Sequence, residues 1–406
     1  MVVCAGSWAV LPTPAASALT EENLVFLEAW RTVDRAYIDK TFNGQNWFKY
    51  RENALKNAPM NDRDETYAAI RKMLATLDDP FTRFLEPEKF RSLKSGAQGA
   101  VTGVGLEVGF NSSTPPMLVV VTPVTGGPAD KAGVQPGDAI LAIDDTTTEG
   151  MGLYDAAQRL QGPIDSEVVV TIRRNGSGKS ETVQIKRQKI TLNPVSSKLC
   201  TPGNGADKLG YIRLSTFNSN STAAVREAIE KLKEEGAKAY VLDIRNNSGG
   251  LFPSGVEVAK MWLDRGVIVF IEDSKGIRDI YEQDDPGSAI SVREPLAVLV
   301  NKGTASASEI LAGALKDNKR AVILGEPTFG KGKIQSVFAL SDGSGLAVTI
   351  ARYVTPAKID IDKVGITPDR PLPGPLPANG DDFCKLIADP SAEGYIDVKD
   401  LFAKSR

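Results

Sequence analysis

The chain has 406 residues, 42% hydrophobic and 24% charged, an ordinary globular composition with length enough for two or three domains. It contains no histidine, which excludes a Ser-His-Asp hydrolase, a Cys-His protease and a His-ligated zinc enzyme, because each needs an imidazole as base or ligand. Acid–base work would fall to Lys, Asp, Glu or Tyr. With 48 Lys+Arg against 51 Asp+Glu and a net charge of -3, no basic excess is present to track a phosphate backbone, and nucleic acid is not an expected partner. Cys4, Cys200 and Cys384 are too few and too widely spaced for a zinc ribbon or a CxxC pair. Cys200 and Cys384 can form one disulfide where the compartment oxidises thiols, or stand as two unpaired thiols. No metal and no cofactor is expected.

Residues 1–11 are apolar and uncharged, and Ala16-Ser17-Ala18 looks like the cleavage site of an export signal, although the first basic residue is Arg31. The alternative is an Ala-rich leader with no addressing role. Eleven apolar residues are too few to span a bilayer, so residues 1–18 read as a residual signal, and a soluble mature protein is expected to start near Leu19.

Apolar residues at helical spacing over Asn23–Tyr37 and Glu65–Leu77 predict an all-helical N-terminal region, residues 19–97, whose second helix stops at Pro80. Residues 98–189 change character. Short β-rich runs, Leu118–Val121, Ala139–Ile143, Val168–Ile172 and Thr182–Ile185, alternate with Gly/Pro turns around one helix, Gly152–Leu160, as in a small β-barrel-like module. From Tyr211 strands and helices alternate: Tyr211–Leu214, helix Thr222–Glu235, Ala239–Ile244, helix Pro253–Leu263, Val267–Ile271, Leu296–Val300, helix Ser308–Leu315, Ala321–Leu324. That order predicts an α/β layered core over residues 190–406. Asp342-Gly343 marks a β-hairpin, and the Pro-rich tail after Pro371 has little hydrophobic content to dock it.

In the small module, Gly103-Val104-Gly105-Leu106 puts two glycines ahead of a strand, so successive N–H groups can converge on an anion without Cβ obstruction. A dinucleotide fingerprint is the rival reading, but no buried strand leads into it and Gly109 comes one place late. The run Pro128-Ala129-Asp130-Lys131-Ala132-Gly133 through Gly137-Asp138-Ala139-Ile140 to Ile143 resembles the PDZ family. Such domains add a ligand strand and hold its terminal carboxylate, so the resemblance implies that Gly103 to Leu106 bind a substrate C-terminus.

Strand Leu296–Val300 leads through Thr304-Ala305-Ser306-Ala307-Ser308-Glu309 into a helix. A hydroxyl at such a turn lies beside free helix N–H groups that can stabilise an oxyanion. A plain N-cap is the commoner reason for a serine there, and Ser308 with Glu309 suits that role better than Ser306. Downstream, Lys331 lies between Gly330 and Gly332. A lysine that loses hydration there has its pKa drawn down from about 10.4 toward working pH and can serve as a general base. The same segment nearly spells a P-loop, but Gly332 stands where Ser or Thr would hold Mg²⁺ and Pro327 interrupts the loop.

These segments together, Asp243-Ile244-Arg245-Asn246-Asn247-Ser248-Gly249-Gly250, Ser306-Ala307-Ser308-Glu309, Asp317 and Thr328-Phe329-Gly330-Lys331-Gly332 with Gln335, resemble the carboxyl-terminal processing peptidases, or tail-specific proteases. The resemblance covers most of the chain, including the interval from 306 to 331. It implies a ClpP/crotonase-like layered core with an inserted PDZ domain, Ser306 as nucleophile, Lys331 as base and Gln335 as the group orienting Lys331. It also implies an oxyanion hole from Ala307 with Gly249 or Gly250, and a structural role for Asp317 at its helix end. Ser197-Lys198-Leu199-Cys200, Leu311–Arg320 and Ser341–Val348 look like the plant and algal chloroplast branch, whose members trim the photosystem II D-one precursor in the thylakoid lumen. That likeness implies a lumenal monomer whose partner is a precursor's C-terminal tail and which meets a membrane only through its substrate. A periplasmic bacterial protease of broader range and a non-catalytic PDZ scaffold are the alternatives; the scaffold would not need Ser306, Lys331 and Gln335 together.

Overall fold

In the computed structural model the residues described are 19–403 apart from 99, 112–114, 125, 152, 192, 375 and 378; the expected export signal lies outside them. Two compact units divide the chain, one of residues up to 90 with 335–350, the other of residues 91–334 with 351 onward.

The first unit holds helices Glu21–Ala36, Trp47–Asn57 and Arg63–Ala75. Each starts at a side-chain cap, Thr20, Asn46 and Asp62, whose oxygen accepts from an N–H three residues on, removing one of the orphan donors of a helix start. Their apolar faces bury Phe26, Trp30, Val33, Ile70 and Met73. The expectation of helices alone is corrected here. Strand Arg83–Leu85 pairs antiparallel with Gly345–Ala347, and Leu340, Leu346 and Val348 share the same core. A three-residue strand completed from some 260 positions away leaves no local periodicity to read.

In the second unit, strands Val195–Cys200, Leu209–Leu214, Ala239–Asp243, Leu296–Val300 and Val322–Gly325 form one sheet in that order. The first pair is antiparallel and the rest are parallel. The parallel strands are joined by helices Ser221–Glu234, Phe252–Lys260 and Ala307–Asp317, as crossover connections require. Ala239–Asp243 and Leu296–Val300 are buried throughout, which is why they read as continuous apolar runs. A second antiparallel layer contains Gly266–Asp273 paired with Gly276–Gln283.

The tail is a further correction. Helices Gly380–Ala388 and Val398–Phe402 bury Phe383, Ile387 and Leu401 against Leu209, Tyr211, Val241 and Leu299, so few apolar residues suffice when all fall on one face. Cys200 and Cys384 form a disulfide, with Cα atoms 5.0 Å apart.

The small module is a β-structure whose main sheet runs Leu106–Phe110, Leu118–Pro123, Ala139–Ile143, Glu167–Arg173 and Ser180–Lys186. Leu106–Phe110 lies at the end of that order and, among the described residues, pairs with Leu118–Pro123 alone. Helix Leu153–Leu160 packs against it. The α/β core with an inserted β-module is as the sequence led us to expect.

Candidate active site

Strand Leu296–Val300 ends in a turn whose last residue, Ser306, has φ 58° and ψ -118°. Left-handed φ in a residue other than glycine costs about 1–3 kcal/mol and persists only where surrounding bonds enforce it. Those bonds are present. Thr304 Oγ1 donates to Ile244 O at 2.9 Å, and Ala305 N donates to Asn247 O at 3.0 Å. Ser306 N–H donates to Glu309 Oε2 at 2.8 Å. Ser306, rather than Ser308, occupies the N-cap position of helix Ala307–Asp317. The expectation for Ser308 is corrected because its hydroxyl is buried and donates to Asn247 O at 2.9 Å.

Glu309 is fully buried and accepts from five donors. Oε1 takes Thr328 Oγ1 at 2.5 Å and Gly330 N–H at 2.7 Å, while Oε2 takes Ser306 N–H, Lys331 N–H at 2.9 Å and Tyr353 O–H at 3.2 Å. Several hydrogen bonds to one ionised carboxylate offset the cost of burying its charge. Burial first, then the charge of Glu309, pushes the Tyr353 phenol far above its ordinary value, so it stays a donor. The carboxylate thereby binds the turn bearing Ser306 to the loop bearing Lys331. Sequence reading used Glu309 only as a capping residue; its Ser-x-x-Glu spacing was the available signal, and nothing local marked Tyr353 or Asn247.

Lys331 is half-buried in the loop Thr328–Gly332, and the chain continues into strand Lys333–Ala339. A P-loop lysine opens a helix whose N–H groups cradle phosphates; a strand follows here. Gln335 lies on that strand, and its amide donates to Thr349 Oγ1 at 3.3 Å. Ala307 is the first helical residue after the cap, where backbone N–H groups have no intrahelical acceptor. Gly249 packs against Ser306, so that a Cβ on it would lie 2.8 Å from Ser306 Cβ. Its N–H is engaged by Asn247 Oδ1 at 2.9 Å. Gly250 has φ 138°, and a Cβ there would approach Phe217 O to 1.9 Å, which only glycine allows. Asp317 accepts from Ala357 N–H at 2.9 Å, securing the helix end.

Behind the glycine loop, buried Asp243 accepts from Tyr211 O–H at 2.7 Å and from Arg245 Nε and Nη2 at 2.9 and 2.6 Å. Arg245 in turn donates to Leu376 O and Pro377 O at 2.7 and 2.8 Å. In the small module, Gly103 to Leu106 join strand Ala100–Gly103 to the edge strand. Gly105 has φ 72°. The Val104 and Gly105 carbonyls accept from Ala129 N–H and Val124 N–H at 2.9 and 2.8 Å.

The cavity of about 490 Å³ beside Leu296, Lys316, Arg320 and Val322 lies at the opposite ends of these strands from Ser306 and is not where this chemistry sits.

Residues 208–372 match Peptidase family S41 and residues 119–174 match a PDZ domain. Carboxyl-terminal-processing peptidase 2, chloroplastic, of Arabidopsis thaliana is 62% identical over 97% of this chain and 77% of its own length. The chloroplastic C-terminal processing peptidase of Tetradesmus obliquus is 54% identical over 93% and 83%, and the carboxyl-terminal-processing protease of a Synechocystis species is 47% identical over 90% and 84%. The solved structure of a photosystem II D1 C-terminal processing protease superimposes with a TM-score of 0.64 at 54% identity, covering 93% of this chain and 100% of that one. Fold and family match thus define a PDZ-bearing peptidase of family S41. Within that family the chain belongs to the carboxyl-terminal-processing peptidases.

Proposed function

We propose that the chain is a serine endopeptidase with a Ser306/Lys331 dyad that removes the C-terminal extension of the photosystem II D1 precursor in the thylakoid lumen of a chloroplast. The observation that carries the dyad is the shared acceptor: one buried carboxylate oxygen takes the N–H of both residues. In this reading Lys331 Nζ, neutral, takes the proton of Ser306 Oγ as that oxygen attacks the scissile carbonyl. The Ala307 and Gly250 N–H groups stabilise the oxyanion, Lys331 returns the proton to the leaving amine, and water then hydrolyses the acyl-enzyme. Gly249 is the weaker donor because Asn247 Oδ1 already holds its N–H. Gln335 orients Lys331, and Gly103 to Leu106 hold the substrate's terminal carboxylate. The names of the chloroplastic relatives and of the matching solved structure support the substrate and the organelle. The Cys200–Cys384 disulfide supports an oxidising compartment. Division into residues 19–97, 98–189 and 190–406 and a monomeric state belong to the same proposal.

The test is incubation of wild type and Ser306→Ala with a synthetic D1 precursor tail and mass spectrometry of the products. A single cut by wild type and none by Ser306→Ala is expected; equal cleavage by both would overturn the dyad.

A further inference from the structure

Phe329 is 58% exposed, although every residue of its loop is pinned. Thr328 and Gly330 bind Glu309, and Phe329 N–H donates to Thr304 O at 2.9 Å. That last bond joins the two chemistry-bearing segments at matching places, two residues before Ser306 and two residues before Lys331. A loop held this firmly could bury its one aromatic ring at little further entropic cost, yet it holds the ring in solvent. The neighbouring turn repeats the pattern. Thr328 N–H donates to Ile366 O at 3.2 Å, Ile366 N–H to Thr328 Oγ1 at 2.7 Å, and Lys363 N–H to Gly330 O at 2.8 Å. This turn carries Val364, 62% exposed, whose N lies 2.7 Å from where a Gly330 Cβ would be. Two large apolar side chains on loops hydrogen-bonded to one another, one of them carrying Lys331 and bonded to the turn of Ser306, leave apolar surface beside the dyad.

We propose that Phe329 and Val364 form the apolar subsite that selects the substrate, receiving an apolar side chain within two residues of the scissile bond. The inference rests on the Ser306/Lys331 reading and adds the residue class that the protease accepts. Phe329 contacts substrate; Val364 widens the same surface.

The experiment uses the full chain and a set of tail peptides in which each of the four positions around the cut is Leu, Ala or Asp in turn. For wild type, kcat/KM should fall about tenfold or more from Leu to Asp at one of these positions, the scale on which an apolar pocket discriminates. Phe329→Ala should reduce that preference to within about threefold, mainly through KM, and Phe329→Leu should restore most of it. Val364→Ser should weaken it independently. Circular dichroism melting of each variant monitors folding. An unchanged Leu-to-Asp ratio in both Phe329→Ala and Val364→Ser overturns the subsite, as does the absence of any preference in wild type. Cleavage that persists in Ser306→Ala overturns the dyad instead, whatever the ratio.

Discussion

The N–H groups of Ser306 and Lys331 end on a single oxygen, Glu309 Oε2, at 2.8 and 2.9 Å. Their registry is therefore set by backbone. Ser306→Ala, Lys331→Ala and Lys331→Arg should each lower peptide hydrolysis at least a thousandfold with the melting temperature unchanged, since nucleophile and base act as a unit and a guanidinium does not deprotonate. Retained turnover in any one would remove that residue from the dyad.

Glu309→Gln is expected to act differently. An amide offers one acceptor oxygen and turns an NH₂ toward donors, so several of five buried partners lose their acceptor, at about 1–3 kcal/mol each. Both kcat and stability should drop, kcat by about a hundredfold or more, while an exposed neighbouring change such as Lys302→Gln leaves both untouched. Urea unfolding followed by activity of the folded fraction separates the two effects. A Glu309→Gln enzyme with full kcat would show that the shared acceptor is dispensable.

Recognition by the small module is open to a single chemical change in the substrate. Amidating the peptide's C-terminus removes the charge that Gly103 to Leu106 are assigned to bind, so KM should rise about tenfold with little effect on kcat. Equal kinetics for acid and amide would leave that loop without its assigned task.

The disulfide closes a loop of 184 residues, worth about 5 kcal/mol in the chain-entropy treatment. Because Phe383, Ile387 and Leu401 also dock the tail, Cys384→Ser should loosen rather than release it. Amide exchange over residues 380–388 should quicken with the core strands unaffected. Non-reducing peptide mapping that returns Cys200 and Cys384 on separate alkylated peptides would contradict the bridge.

Alkali offers a further check. Burial, then the Asp342 hydrogen bond, pushes Tyr67 up to about 12, and burial, then the charge of Glu294, pushes Tyr240 up to about 12. Unfolded phenols ionise near 10. A pKa raised on folding gives stability that is complete below pH 10 and is lost as pH rises through 12. Unfolding should thus set in between pH 10 and 12, seen as tyrosinate absorbance rising with loss of ellipticity. The buried Tyr240 hydroxyl has no hydrogen-bond partner among the described residues, so Tyr240→Phe should be close to neutral at pH 7 and should delay the alkaline transition.

Much of the core was legible because its signals are local. Ala139–Ile143 and Leu296–Val300 were read to the residue as strands, and apolar runs of five between turns leave little room for another conformation. Absence of histidine, the glycines beside Lys331 and the Ser-x-x-Glu run narrow the chemistry by themselves, since residue type alone decides which groups can carry a proton. Tertiary structure decided what depends on partners distant in sequence. Strand Arg83–Leu85 exists only through residues 345–347, and the polar tail docks only because its few apolar side chains meet the sheet on one face. Glu309 became more than a cap only when Thr328, Gly330, Lys331 and Tyr353 came within reach of its two oxygens. Propensity and periodicity act over a turn or a strand, whereas a buried carboxylate takes its meaning from every donor the folded chain brings to it.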